Sequence, residues 1–526
     1  MKRLFSTMLA TLILFVFLIL PKTEAANDTT EVIIFHTNDM HSRVSNVDDN
    51  GQSIGLAEIS AAVKATKMKN PNTLWLDAGD TFHGMPRINI SHGQNMIELL
   101  NESALDAMAP GNHDYNYGSE QLQKLAKQLN ATVLSANTVK RGTNKNIFKP
   151  YKIYKLSNGI KVGVFGLTTP ETAYKSNPKN TEQIEFLNPV EQSKKMIKKL
   201  RSKCDILIAV MHMGLDASSE FTSERIATEA PGIDLIVDGH SHTVLPKGLS
   251  VGDTLIVQTG WHEYRLGQVK IDVQNHKIIS KSAALLNAEE IKNIAPVPDL
   301  SINKTLTNIE ERNEKLFNEV IAKSDRSLSS TRLLVRRHES ELGNLCADSL
   351  RWRTGADIAV TNGGGLRSDL PAGDVTRGDI MSIFPFGNTV QMVEINGKTI
   401  HEMLEHSVFA YPASFGGFLD ISGMTFSFDP TQPAGSRVSE IKIYGKALDE
   451  NKIYKMASND FLFVGGDDYE MLKDLKIIGE FDTCEEVLAD YLNKVGMSGI
   501  EVGRIKLLKE VEIPDELPDG EIKEAA

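Results

Sequence analysis

The 526-residue chain has only three cysteines, Cys204, Cys346 and Cys484, far apart and without C-x-x-C spacing. That excludes a disulfide framework or a thiolate zinc cluster as the basis of its stability, and buried free thiols are the expectation. Long hydrophobic runs are missing too: the apolar stretch Leu9–Leu20 is too short to span a bilayer comfortably. There is no internal repeat, and no apolar C-terminal tail of the kind that directs a glycolipid anchor. Positive charge is in deficit, with 57 Lys+Arg against 69 Asp+Glu and a formal net charge of −12. Such a balance disfavours nonspecific binding to DNA or anionic lipid, so no nucleic-acid polymer is expected as a partner. It leaves room for a small anionic ligand where local metals or arginines invert the field.

What is present begins with Met1-Lys2-Arg3, the short apolar stretch, and Thr23-Glu24-Ala25. This order of basic, apolar and small residues predicts a signal peptide over residues 1–25, cut after Ala25 or Ala26. Its removal takes away Lys2, Arg3, Lys22 and Glu24, a net +2, and leaves −14. With no cysteine near the cut, the expectation is an exported protein, periplasmic or extracellular, without a membrane anchor.

The length calls for two or three cores. Residues 30–295 alternate buried strands with helices: Val32–Phe35, Leu74–Leu76, Thr132–Ser135, Lys161–Phe165, Ile206–Val210, Asp234–Val237, Leu255–Val257 and Gln268–Val273 read as strands. Leu56, Ile59 and Val63 mark an amphipathic helix between the first two. Pro296-Val297-Pro298 opens a connecting segment, 296–326, in which Asp299 is a helix N-cap and apolar spacing predicts a helix over 299–323. A second α/β unit occupies 327–510, and 511–526 is an acidic tail expected to be disordered.

The chemistry sits at strand ends. Asp39-Met40-His41 follows Val32–Phe35, and one intervening residue lets both side chains reach a single ion. Gly79-Asp80 follows Leu74–Leu76, where a carboxylate can bridge two ions through its two oxygens. Gly111-Asn112-His113-Asp114 closes the run Leu105–Ala109; His212 follows Ile206–Val210; Gly239-His240-Ser241-His242 follows Asp234–Val237. Any one of these is an ordinary turn. Five in order, each after an apolar run, predict a metal centre, and the mixture of Asp, His and Asn suits Zn, Mn or Co rather than Ca²⁺. Two ions ~3.5–4 Å apart lower the pKa of water toward ~7 and stabilise an in-line displacement at phosphorus. His113, spared from ligation when Asn112 is a ligand, can protonate the leaving oxygen, worth ~10²–10⁴-fold.

The second unit carries binding features. Asn362-Gly363-Gly364-Gly365-Leu366-Arg367 follows the strand Ile358–Val360; it is no P-loop, because no Gly-Lys-Ser/Thr follows, but Arg367 can clamp phosphate. Arg336 precedes a helix start at Gly343-Asn344-Leu345. Phe386 and Phe461 stand beside Gly turns, with Asp467 just past Gly465-Gly466, which suggests a stacking slot with an acceptor for sugar hydroxyls. Gly416-Gly417 adds backbone room nearby.

The metal motifs resemble the calcineurin-like metallophosphoesterase signature, and with the second unit the chain is similar over 31–508 to the secreted 5′-nucleotidase and UDP-sugar hydrolase family. The resemblance implies an α/β architecture: an N-terminal layered sandwich of two mixed sheets flanked by helices, a linking helix, and a C-terminal α/β domain of 5′-nucleotidase type. It implies one ion on Asp39, His41, Asp80 and His242 and another on Asp80, Asn112, His212 and His240. It also implies nucleotide contacts from Arg336, Asn362, Arg367, Phe386, Phe461 and Asp467, and a rotation between domains that brings the two sets together. One position departs from the family: the carboxylate that partners the catalytic histidine is replaced by Asn116. The catalytic set is therefore His113, Asn116 and Asp114, with a His113 pKa expected below that of Asp-bearing relatives.

These readings converge on a phosphohydrolase with a small-molecule nucleotide substrate and two divalent ions, acting on nucleoside 5′-monophosphates, with UDP-sugars, ADP and ATP as further candidates. Asn116 keeps a rival in view, a 2′,3′-cyclic-nucleotide phosphodiesterase with 3′-nucleotidase activity. A catalytically silent nucleotide-binding or surface-adhesion protein would show a broken ligand set, and this set is complete. A sulfur-compound hydrolase of the same superfamily is a remote third.

Overall fold

The computed structural model of the chain describes residues 29–45, 54–157, 159–173, 176, 178–216 and 219–511. The predicted signal peptide, 1–25, and, beyond Val511, the acidic tail lie outside them.

In the N-terminal half two six-stranded mixed sheets stack face to face. One runs Lys277–Leu286, Leu266–Gln274, Thr30–Thr37, Thr73–Asp77, Ala107–Met108, Thr132–Val133; the other runs Leu249–Val251, Thr254–Val257, Leu235–Val237, Ile206–His212, Lys161–Thr168, Tyr151–Lys155. The period of two along a strand explains the layering. Val32 and Ile34 point between the sheets, against Val164, Ile208 and Val237, while Ile33 and Phe35 pack on the opposite face with Ile59 and Val63 of the helix Leu56–Lys69. The outer face of the second sheet is covered in the same way, with Val190, Leu200 and Ile226 against Phe165 and Leu207. Strands buried on both faces read as apolar runs, which is why they were visible in the sequence. Thr30–Thr37, Thr73–Asp77 and Ala107–Met108 run parallel, as do Ile206–His212 and Leu235–Val237. Their C-terminal ends open at a common edge in each sheet, and the predicted site residues follow those ends.

The connecting helix is shorter than predicted. It spans Leu300–Phe317, capped by Asp299, whose side chain accepts from Ser301 N–H and also from Ser60 Oγ and Lys64. After Asn318 the chain becomes a strand, Val320–Ser324, paired antiparallel with Gly373–Thr376. The β-branched pair Val320-Ile321 continued the apolar spacing in sequence, but pairs better with a strand than it winds into a helix. The helix lays Ile302 and Ile309 on the N-terminal core, and its end meets the other half where Gly378 passes Phe317 O.

The C-terminal half centres on a five-stranded sheet ordered Leu419–Ser422, Ile358–Asn362, Ile453–Asn459, Thr389–Asn396, Ile477–Thr483. Helices Glu341–Thr354 and Cys484–Lys494 pack on one face; the helix Gly397–Ser407 and a four-stranded sheet pack on the other. Cys204, Cys346 and Cys484 are buried and free. Among the described residues no helix is long and apolar enough to cross a membrane.

Candidate functional site

The predicted metal residues leave their strands through unusual backbone. Asp39 (φ 50°), His41 (φ 44°), Asp80 (φ 57°), His240 (φ 80°) and His242 (φ 53°) all occupy the left-handed region, which costs of order 1–3 kcal/mol each and persists only where the surroundings impose it. Here they do. Asp39 N–H donates to Gly79 O and His41 N–H to Asp80 O, both at 2.9 Å, which staples the first turn to the second. The second and third turns touch: a Cβ on Gly79 would lie 2.3 Å from Gly111 N, and one on Gly111 would lie 2.1 Å from Asp80 Oδ1. Asp114 completes the brace, accepting from the N–H groups of Asp80, Thr81, Phe82 and Gly111 at 2.8–3.0 Å. Its buried carboxylate is committed to the backbone of two turns and acts on the site by holding Asp80 in place.

Within this frame the donor atoms converge. His212 Nε2 stands 3.1 Å from Asp80 Oδ2 and 3.8 Å from Asp39 Oδ1. His242 Nε2 stands 3.5 Å from Asp39 Oδ1 and 3.2 Å from His41 Nε2. Asp39–His41–His242, His41–Asp80–His113 and Asp39–Asp80–His212 each gather their donors within 4.8 Å. Asn112 is buried beside His113, whose N–H donates to Asp80 Oδ1 (2.8 Å); His240 lies edge-on to His212 and ties its N–H to Asp39.

The donor set fits cations. Ala78 O accepts from His212 Nδ1 at 2.7 Å, so a neutral ring turns its Nε2 lone pair onto two carboxylates. That arrangement is repulsive unless positive charge sits between them. Burial opposes a charged His212, but Asp80 and Asp39 outweigh it and push its pKa up to about 10. Conversely, His212 and His113 overcome burial to hold Asp80 well below the usual carboxylate range. A pocket that stabilises added positive charge this strongly is suited to divalent ions.

His113 lies at the rim. Asn116 Nδ2 is 3.2 Å from His113 Nδ1 and 3.3 Å from His83 Nδ1, so one amide bridges two imidazoles. His113 Nε2 is 3.9 Å from Glu480 Oε2, which belongs to the C-terminal half. Burial favours the neutral ring, yet Asp80, Glu480 and Asp460 together raise its pKa above the ordinary value. Asn116 and Glu480 thus address opposite nitrogens of the ring, Nδ1 from within the N-terminal half and Nε2 from the C-terminal half.

The C-terminal features also assemble. Asn362 donates to Asp467 Oδ2 (2.8 Å) and accepts from Asn459 (2.9 Å). Gly364 N–H donates to Gly416 O, whose residue lies against Asp467, and Phe415 N–H donates to Arg336 O. Arg367 stacks on Phe386, 5.5 Å from the ring centroid. A Cβ on Gly466 would lie 2.4 Å from the Phe461 ring, so glycine makes room for that side chain. Phe386 (48% exposed) and Phe461 (39%) present their rings to solvent. The turn after Phe386 touches the metal side: a Cβ on Gly387 would lie 2.3 Å from Gly84 O.

Four residues beside the centre escaped the sequence reading. His83 follows Asp80 by three, and His262 follows the strand Thr254–Val257; both repeat the pattern of polar residues after a strand, and His262 lies edge-on to His41. Glu171 and Glu480 carry no local signal.

Fold and site together define a metal-dependent phosphoester hydrolase. The calcineurin-like phosphoesterase family matches residues 33–244, and the 5′-nucleotidase C-terminal domain matches residues 320–474. A 5′-nucleotidase of Vibrio cholerae is 29% identical over 526 residues, covering 91% of this chain and 93% of its own. Protein UshA of Yersinia enterocolitica is 29% identical, covering 89% and 91%. The crystal structure of a 5′-nucleotidase precursor from Thermus thermophilus is 30% identical with a TM-score of 0.55, covering 92% of this chain and all of the other. The chain belongs to the 5′-nucleotidase family of calcineurin-like metallophosphoesterases and is a nucleotide phosphohydrolase.

Proposed function

We propose that the chain is exported and hydrolyses nucleoside 5′-monophosphates to nucleoside and phosphate, through an N-terminal catalytic domain (30–295), a linker (296–326) and a substrate-binding domain (327–510). The observation that carries the reading is the meeting of two chemistries at one seam. The donor atoms of Asp39, His41, Asp80, His113, His212 and His242 gather in three overlapping groups with Asn112 and His240 beside them, and Glu480 and Gly387 of the other half approach His113 and Gly84; we read Asp39, His41, Asp80, Asn112, His212, His240 and His242 as the cation ligands, and Phe386, Phe461, Arg367 and Asp467 as a slot for base, phosphate and sugar. Two divalent ions, Zn, Mn or Co, supply Lewis acidity toward the phosphoryl oxygens and lower the pKa of water at the site when bound.

The residues do the rest. Phe386 and Phe461 hold the base between their rings, and Asp467, oriented by Asn362, accepts from sugar hydroxyls. Arg336 and Arg367 offset phosphate charge. The P–O5′ bond breaks as the attacking oxygen arrives in line, and His113, whose charged form is disfavoured by burial but favoured by Asp80, Glu480 and Asp460, gives its proton to the departing 5′ oxygen. Asn116 orients that ring. Only the phosphorus must reach the ions, so UDP-sugars, ADP and ATP are further substrates.

Phosphate release from residues 26–526 with added Mn²⁺, Co²⁺ or Zn²⁺ tests this against AMP, ADP, ATP, 3′-AMP, UDP-glucose and 2′,3′-cyclic AMP. AMP is the expected preferred substrate. Preference for 3′-AMP or the cyclic nucleotide would overturn the reading in favour of the phosphodiesterase that Asn116 suggests.

A further inference from the structure

Glu171 lies in the short turn Pro170–Ala173 that follows the strand Lys161–Thr168, a segment with no place in the predicted ligand set. Its Oε2 is 3.1 Å from His240 Nε2, and the two side chains are only 10% and 5% exposed. The segment is anchored to the strand that carries His212. Thr169 N–H donates to His212 O (2.9 Å), and Glu171 N–H donates to Thr169 Oγ1 (3.3 Å). Burying a carboxylate is costly without a partner, and this one is turned onto the far nitrogen of a candidate ligand.

We infer that Glu171 is a positioning residue for the metal centre, fixing the ring and tautomer of His240 by accepting a hydrogen bond at Nε2. The inference rests on the reading of His240 as a ligand. His240 is then determined at both ends: its backbone N–H is held 2.9 Å from Asp39 Oδ2, and its Nε2–H is held by Glu171. A ring that gives Nε2–H to a carboxylate keeps its lone pair on Nδ1, so Nδ1 is the nitrogen offered to the ion. The carboxylate also makes that nitrogen more basic. Outer partners of this kind typically alter metal affinity 10–100-fold. One of the two ions depends on Glu171; the ion held by Asp39, His41 and His242 does not.

The test uses the full-length protein, freed of metal with a chelator and titrated with Co²⁺, whose visible spectrum reports each site's geometry. Glu171→Ala is expected to weaken one of two binding events about 10–100-fold, leave the other within about 3-fold, and shift the absorption of the weakened site. Glu171→Gln, whose amide oxygen still accepts from Nε2–H, is expected to restore most of that affinity. In a His240→Ala background, Glu171→Ala should add nothing. Wild-type affinity for both ions in Glu171→Ala would overturn the inference, as would an equal loss at both sites accompanied by a lower Tm in both Glu171 variants. If His240→Ala itself left both affinities unchanged, the ligand reading would fall first and the role of Glu171 with it.

Discussion

The candidate metal centre and the proposed nucleoside slot are built on opposite principles. In the N-terminal half the functional side chains are mostly buried, set on left-handed backbone, and braced by hydrogen bonds from neighbouring turns. In the C-terminal half the key rings are 48% and 39% exposed, Phe386 lying under Arg367 and Phe461 against Gly466. Chemistry explains the difference. Ions tolerate errors of only about a few tenths of an ångström in ligand position, so the frame must be over-determined before they arrive. Stacking on a base tolerates sliding and any base identity, so two exposed rings suffice and the ligand completes the order.

If this contrast is right, damage to the first region should be severe and damage to the second graded. Asp80→Ala removes a carboxylate common to two of the three donor groups and should lower turnover by roughly 10³-fold or more, with loss of bound metal measurable by elemental analysis. His113→Ala should cost ~10²–10⁴-fold in kcat with KM little changed and both ions retained, which separates the proton donor from the ligands. A kinetic assay that found KM rising instead would place His113 in substrate binding. Phe461→Ala should lose ~1–3 kcal/mol in kcat/KM, about 5- to 150-fold, by a similar factor for purine and pyrimidine substrates, and Phe461→Trp should recover most of it. Loss confined to one base would mean that the slot reads hydrogen-bonding edges rather than ring faces.

The smallest effect concerns the seam itself. Glu485, at the start of the helix Cys484–Lys494, faces Asn89, and burial pushes its pKa up to about 7. Because this carboxyl binds its proton more tightly when buried than when exposed, its contribution to stability is complete below about pH 4.5. It falls as pH rises toward 7 and changes little above that. Thermal denaturation from pH 5 to 8 should show Tm declining on this account, and Glu485→Gln should flatten the slope. An unchanged slope would remove Glu485 from the list of groups that link the halves.

Several features were legible because the signal was local. Asp39, Asp80, Asn112, His212 and His240 announced themselves by following apolar runs, and Gly465-Gly466 announced the slot beside Phe461. The connecting helix was overextended because Val320 and Ile321 match a helical spacing as well as a strand, and only their partner Gly373–Thr376 decides. The bracing role of Asp114 had no local signal, because three of its four backbone donors lie 32–34 residues away.

What the amino-acid sequence determined by itself was therefore the inventory: which strands are buried on both faces, which polar groups stand at their ends, and which chemistry those groups allow. Tertiary structure alone decided the pairings. The placing of Glu171 against His240, of Glu480 toward His113, and of Asn116 between two imidazoles depends on contacts across 69, 367 and 33 residues. Side-chain periodicity records which face of an element is buried, but carries no information about which distant element will cover it.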